Sequence, residues 1–434
     1  MNQNGMTARA EWQNGWTLVL AAAAGFSFFS VMSGAGGFFI KALTEEFGWS
    51  RTLISGGISA ATFVTAVLSP PVGYLIDRFG TRRVALPGLV LTIASISAFA
   101  LLDGSAWQWL ALWVLFGITS SAIKSTAWTA AVVGLFEKSR GLALGLTLCG
   151  TAVTQTLIGP LANWLIHDFG WRAAYVALAV GWGGITFVLC VLFLFDRRAR
   201  IAGGTGTSSE KAAAVAKEAA AIANLPGLTI REAAMNTALW RLAASNFVVM
   251  LLTIGLSFHL FAILTEAGVS DSNAAWLTSL GGIAGIAGKL LSGVLLDRYR
   301  PNWIGGITLG IAAISFAFLM DGLRSPTAIV IALVINGYAA GTKMQIVGYL
   351  TAGYTGMRNF GTVYGFMSAM LALAASVGPL AAGWSYDVTG GYEAFLAAGA
   401  IGCFLSGALI VSLPRYPDWS KGRVGTRDAA ALTT

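Results

Sequence analysis

The stretch GYLIDRFGTRR (Gly73–Arg83) closes one apolar run and opens another, and a shorter copy, GVLLDRYR (Gly293–Arg300), follows 220 residues later. Both set an acid beside arginines at the polar end of a segment: Asp77 with Arg78, Arg82 and Arg83 in the first, Asp297 with Arg298 in the second. Gly73 and Gly293 each stand four residues before the acid. A second echo keeps the same offset, RGLALG (Arg140–Gly145) against FGTVYG (Phe360–Gly365). A chain that repeats itself once, in the same order, reads as two parallel halves of one architecture.

What lies between these motifs is apolar. The chain has 434 residues, 56% hydrophobic and 11% charged, with a mean hydropathy of +0.72; soluble domains carry about 25% charged residues. Runs long enough to cross a bilayer, roughly 20 residues each, fall near 16–40, 52–76, 84–102, 107–135, 141–166 and 173–195. They resume near 240–265, 274–296, 303–320, 326–355, 360–386 and 393–413. The expected fold is an all-α membrane protein of about twelve transmembrane helices in two pseudo-symmetric six-helix lobes. The expected division is an N-terminal lobe over 1–195, a cytoplasmic linker with a surface helix over 196–238, and a C-terminal lobe with a short tail over 239–434.

The linker has three parts: a basic stop (DRRAR), a flexible Gly/Ser stretch, and an Ala-rich segment ending at Pro226-Gly227. Thr229 and Glu232 then have capping-box spacing, which predicts a helix start ahead of span seven. Charge sets the expected orientation. Arg78, Arg82, Arg83, Lys138, Arg140, the basic residues from Arg197 to Arg241, and then Arg298, Arg300, Arg358 and the tail fall on one side, with both termini cytoplasmic. Lys41, Arg51, Arg172 and Arg324 fall on the other. The net charge of +8 is thereby explained as topology, without a nucleic acid partner. The polar stretch Met1–Asn14 lacks the pattern of a cleavable leader. The expected location is the cell membrane, the inner membrane of a bacterium.

GYLIDRFGTRR resembles the signature loop between helices two and three of the major facilitator superfamily. Within it, GGFFIKALTEEFGWSRTLIS (Gly36–Ser55), FEKSRGLALGLTLCGTAVT (Phe136–Thr154) and TIREAAMNTALWRLA (Thr229–Ala243) resemble the monocarboxylate transporter and oxalate/formate antiporter group; NGW (Asn14–Trp16) matches that group's opening only in part. The resemblance implies alternating access, with the Asp–Arg motifs and Arg140 as gate elements that pair in one state and part in the other. It also implies that Lys289, four residues before Gly293 in helix eight, binds substrate carboxylate. Some proton-coupled members carry an acid four residues earlier, where this chain has Gly285.

Placing every charge by topology leaves Lys124, Lys289 and Lys343 inside spans, and no acid. A charge at the bilayer midplane costs about 2.5 kcal/mol or more, so these lysines predict a wet cavity that receives an anion. Lys124 stands 13 residues before Glu137 and Lys343 15 before Arg358, depths of about 20 and 22 Å at 1.5 Å per residue. Lys289, eight residues before Asp297, is about 12 Å deep by the same rise. Trp128 shares the helical face of Lys124 and Asn336 that of Lys343. Gln155 ends a polar stripe begun by Thr147 and Thr151, Tyr338 is a pocket candidate, and His259 is a candidate proton carrier.

Other classes are excluded residue by residue. Cys149, Cys190 and Cys403 all sit in apolar runs, and His167 and His259 are the only histidines, so neither a disulfide framework nor a metal site is expected. Gly288-Lys289 lacks the rest of a P-loop. The expectation is a non-enzyme without cofactors: a secondary carrier of small organic anions, most readily monocarboxylates, working by proton symport or anion exchange and functional as a monomer. The alternatives are the same fold with a peptide, a larger amphipathic acid or an exported metabolite as cargo, and a non-transporting receptor.

Overall fold

In this computed structural model the described residues are 8–133, 135–136, 139–195, 227–356 and 358–417. The linker segment 196–226, the tail beyond 417, and the side chains of Asp77, Arg140 and Asp297 lie outside them.

Local sequence sets most helix starts. Ser50 accepts from the Leu53 amide, Ser325 accepts from the Ala328 amide, and Pro301 and Pro326 stand in the first turns of their helices, where a missing N–H costs nothing. The capping box at Thr229 and Glu232 forms as its spacing predicts. The helices in order are α1 (Ala8–Phe29), α2 (Val31–Ala35), α3 (Phe39–Phe47), α4 (Arg51–Phe79), α5 (Thr81–Ser97), α6 (Ala106–Ser121), α7 (Ser125–Val133), α8 (Arg140–Leu148), α9 (Gly150–Ala177), α10 (Gly183–Phe193), α11 (Ile230–Met235), α12 (Thr237–Glu266), α13 (Asp271–Arg298), α14 (Pro301–Phe318), α15 (Pro326–Thr355), α16 (Phe360–Thr389) and α17 (Glu393–Val411).

Nine described stretches are long and apolar enough to span a bilayer, and the pair Gly15–Phe29 and Val31–Phe47, bent by 41°, makes a tenth. One of the nine, Leu142–Phe193, is 52 residues long and turns at Gly170 (φ 78°, ψ 160°), so it crosses twice. α13 has the 28 residues needed but carries Asp271, Lys289, Asp297 and Arg298 along its length. Counting both gives twelve passes among the described residues.

The chain packs as two compact units, Met1–Gly204 with Ser257–Ile283 and Pro379–Val388, and Thr205–Leu256 with Ala284–Gly378 and Thr389–Thr434. This is a division by packing that cuts α12, α13 and α16; the division at 1–195 and 239–434 is one by sequence repeat. The first unit is centred on aromatic rings: Tyr175 stacks on Phe39 at 3.9 Å and on Phe99 at 5.1 Å, and Trp109 and Trp113 stand edge-on to Phe99. In the second, α14 and α17 meet at small residues, a Cβ on Gly407 falling 2.5 Å from Gly310 Cα. Close approach of this kind is how membrane helices gain van der Waals contact without a hydrophobic driving force.

Candidate functional site

The three lysines of the spans have unlike surroundings. Lys343 lies in the unbroken α15 and is only 4% exposed. Its ammonium donates to Thr253 Oγ1 of α12, and Thr253 passes its own hydroxyl hydrogen to the Val249 carbonyl. Lys124 lies where the helix stops. α6 ends at Ser121, Ala122–Lys124 form a turn, and α7 resumes at Ser125, so the α-helical bonding is interrupted at the lysine inside a span that still runs Ala106–Thr129. The Lys124 ammonium is half-buried and donates to Ser69 Oγ at 2.8 Å, one residue before Pro70-Pro71 in α4. Among the described residues neither Lys124 nor Lys343 has a carboxylate partner.

Lys289 is half-buried on α13. Around it α13 and α15 touch at small residues: a Cβ on Gly288 would fall 2.7 Å from the Tyr338 carbonyl oxygen, and one on Gly341 2.2 Å from that of Gly285. Gly285 occupies the position where proton-coupled relatives were expected to carry an acid. Here the site is a backbone contact. One turn past Lys289, Ser292 donates to Gln345 Oε1 at 2.6 Å.

Trp128 is fully buried and its indole N–H donates to the Ile123 carbonyl at 2.7 Å, sealing one of the groups the helix break exposes. Gln155 is exposed on α9, and Thr147 and Thr151 bond back to carbonyls of their own turn. Asn336 is buried on α15, and the half-buried Tyr338 places its hydroxyl 3.2 Å from Thr308 Oγ1. Lys124, Trp128 and Gln155 belong to the first unit; Lys289, Lys343, Asn336 and Tyr338 to the second.

In the signature loop, Gly80 turns the chain at φ 89° between α4 and α5. Arg82 donates to the carbonyls of Leu194 at 2.7 Å and Val191 at 2.8 Å, satisfying the C-terminal end of α10 where a cation is favoured. Arg78, Arg83 and Arg298 are exposed, and Arg78 reaches the Tyr74 hydroxyl at 3.4 Å. A Cβ at Gly73 would meet nothing within 4 Å.

Sequence reasoning missed a polar layer at the opposite end of the first unit. Asp387 accepts from the Arg51 amide at 3.1 Å and the Thr52 amide at 2.8 Å, and from the Thr52 hydroxyl, capping the start of α4 from α16. The Arg51 side chain pairs with Glu266 and lies 3.9 Å over the Tyr386 ring. Lys41 meets Asp271 at 3.0 Å. One turn deeper, the fully buried His259 places Nε2 2.9 Å from Ser55 Oγ and 3.1 Å from the Pro379 carbonyl. A carbonyl only accepts, so Nε2 carries the hydrogen. These partners are more than 200 residues apart in most cases, and the only trace in the sequence was that acids and bases share the outer ends of spans.

An all-helical chain of twelve passes with an ammonium buried inside a span has the build of a membrane transport protein. The chain belongs to the Major Facilitator Superfamily, whose pattern it matches over residues 20–320 and again over 242–433. The twelve-helix, two-lobed fold is that of the family, whose members are transporters and not enzymes. Among curated proteins it is similar to a gallate transporter of Pseudomonas putida, 23% identical over 376 residues with 79% of this chain and 82% of the relative covered. It is also similar to monocarboxylate transporter 13 of Bos taurus, 25% identical over 420 residues with 93% and 90% covered. Among solved structures, a D-xylose–proton symporter superposes with a TM-score of 0.70 at 15% identity, covering 94% of this chain and 99% of that one, which speaks to the fold alone.

Proposed function

We infer that this chain is a secondary carrier of small organic carboxylates, monocarboxylates and small aromatic acids among them. One observation carries the reading: Lys343 holds a cation at 4% exposure inside a span, on a neutral hydroxyl and with no carboxylate partner among the described residues. A buried cation is tolerated when an anion comes to meet it. The relatives' names, a gallate transporter and a monocarboxylate transporter, support a carboxylate as that anion.

In this mechanism the lobes at 1–195 and 239–434 rock against each other in the cell membrane, both termini cytoplasmic, within one chain. In the second unit Lys343 is the principal anion partner, Lys289 assists, and Asn336 and Tyr338 shape the surroundings; in the first unit the candidates are Lys124, Gln155 and Trp128. The Arg51–Glu266–Asp387 layer holds the outer side shut. The layer consists of one ion pair and the hydrogen bonds that Asp387 accepts, few enough contacts to open reversibly. Gly73, Asp77, Arg78, Arg82, Arg83, Arg140, Asp297 and Arg298 serve the cytoplasmic gate, and Gly73, with open space beside it, leaves room for a close approach there. Because the empty carrier has an uncompensated ammonium, the loaded form crosses more easily. This favours anion exchange, with proton symport as the variant in which the acid brings its own proton. His259, whose Nε2 hydrogen is engaged, positions α4, α12 and α16.

The test is counterflow in proteoliposomes with lactate, pyruvate, oxalate and gallate, with and without a pH gradient. Uptake of an acid that is lost in both Lys343→Gln and Lys289→Gln is the expected result. Normal anion uptake by Lys343→Gln, or a neutral solute as the only cargo, sinks the reading.

A further inference from the structure

We propose that the membrane-facing side of the first unit holds a bilayer phospholipid with an ammonium headgroup, its acyl chain between α9 and α10 and its head beside the start of α13.

The slot encloses about 560 Å³, and among the described residues none that lines it is charged. Val153, Leu157, Leu161 and Leu165 form one wall along α9, and Ile185 stands on the other. From Val153 to Leu165 it runs about 18 Å at 1.5 Å per residue, close to one leaflet of a roughly 30 Å hydrocarbon core. Leu157 and Ile185 remain 53% and 66% exposed, so the protein alone does not fill it. A π-helical turn, Leu178–Trp182, contributes Leu178, Gly181 and Trp182 to the lining, and such a distortion is frequent at functional positions. The turn carries the Trp182 indole over to α1, where its N–H donates to Ser27 Oγ at 2.9 Å. A Cβ at Gly181, in the middle of this turn, meets nothing within 4 Å.

At its upper end the slot opens into a second cavity of about 960 Å³ that shares Leu157, Leu161 and Trp182 with it. Here the lining changes character: Asn163, Trp164, His167 and Asp168 come from α9, and Asp271 and Trp276 from α13. Trp164 and Trp276 are 51% and 64% exposed, as tryptophans are where headgroups begin. The charge of the mouth selects the head. Two carboxylates line it, and among the described residues no lysine or arginine does. Asp271 already meets Lys41 at 3.0 Å and Asp168 meets His167 Nδ1 at 2.8 Å, yet both keep side-chain exposure of 46% and 44%. A carboxylate accepts from an ethanolamine ammonium and repels a phospholipid with only a negative phosphate. The Asn163 amide and Trp164 indole supply donors for the phosphate. Because the mouth joins α9 to α13, a seated lipid ties a helix of the first repeat to one of the second.

The experiment is native mass spectrometry of the purified full-length chain with dioleoyl phosphatidylethanolamine or dioleoyl phosphatidylglycerol added, beside thermal unfolding in nanodiscs of each lipid. The expected result is retention of the ethanolamine lipid over the glycerol lipid by about tenfold, a preference of one charge-assisted contact. Gly181→Leu puts a side chain into the slot from a position where a Cβ meets nothing within 4 Å, and the retained lipid is lost while the thermal midpoint in detergent stays that of the native chain. Asp168→Asn with Asp271→Asn keeps the lipid and loses the preference for ethanolamine. Equal retention of both lipids by the native chain, unchanged retention by Gly181→Leu, or a dimer that Gly181→Leu converts to monomer each overturns the proposal. None of these readouts depends on the transported solute.

Discussion

Lys124 and Lys343 stand at nearly equivalent sequence positions in the two repeats, and the structure treats them in opposite ways. Lys343 keeps its helix whole and gives up its water; Lys124 keeps partial access to its surroundings and gives up its helix. The difference begins with the neighbours. On α5, a Cβ at Gly88 would come 2.6 Å from Ala122 Cβ, so that helix presses directly on the residue where α6 ends. Trp128 then reaches back to the Ile123 carbonyl, and it has room because Gly25 faces its ring, where a Cβ would lie 2.2 Å from Trp128 Cζ2. On α15 no such wedge enters: small residues against α13 let the two helices run together unbroken. Repeated sequence thus sets the place of a charge in its span but not its burial.

The comparison can be broken most directly at the buried member. Lys343→Met removes the cation while keeping an unbranched side chain of similar length; anion counterflow should fall by more than about tenfold, the loss of one charge-assisted contact, while the thermal midpoint does not fall, since an uncompensated buried charge has gone. A drop in midpoint with transport intact would make Lys343 a packing residue. Next in size, Thr253→Val strands the buried ammonium without its acceptor and should cost about 1–3 kcal/mol, read by thermal unfolding in detergent. Gly25→Val overpacks against Trp128 and should cost a similar 1–3 kcal/mol or so, with a shift in tryptophan emission as the ring leaves its seat. Ser69→Ala removes the partner of the half-buried Lys124. Its expected cost is the smallest, below about 1 kcal/mol, because water can replace the hydroxyl. If Ser69→Ala proved as costly as Thr253→Val, the two lysines would be equivalent after all.

Some features were legible because their causes are local. The helix start at Thr229 follows from a side chain and an amide three residues apart. The turn at Gly80 follows from the one residue that adopts φ 89° without strain. The lysines stood out because twelve apolar runs left them no polar end to belong to. The break at Ala122–Lys124 was illegible for the matching reason: alanine, isoleucine and lysine all suit a helix, and what interrupts them comes from α5 and from a tryptophan on the next turn. The Asp387 cap on α4 was equally hidden, since its donors lie 336 and 335 residues away.

The sequence by itself determined that this chain crosses a membrane about twelve times in two repeated halves, and that three cations lie within the spans. Composition, period and charge placement suffice for that, because transfer into a bilayer is decided residue by residue. Only the tertiary structure decided which lysine is sealed, which sits at a helix break, which polar groups meet at the Arg51 end of the first unit, and where a π-helical turn lines a slot beside α9. Those outcomes depend on distances between helices far apart in the chain, and a glycine facing an indole or a carbonyl facing an imidazole leaves no periodic signal.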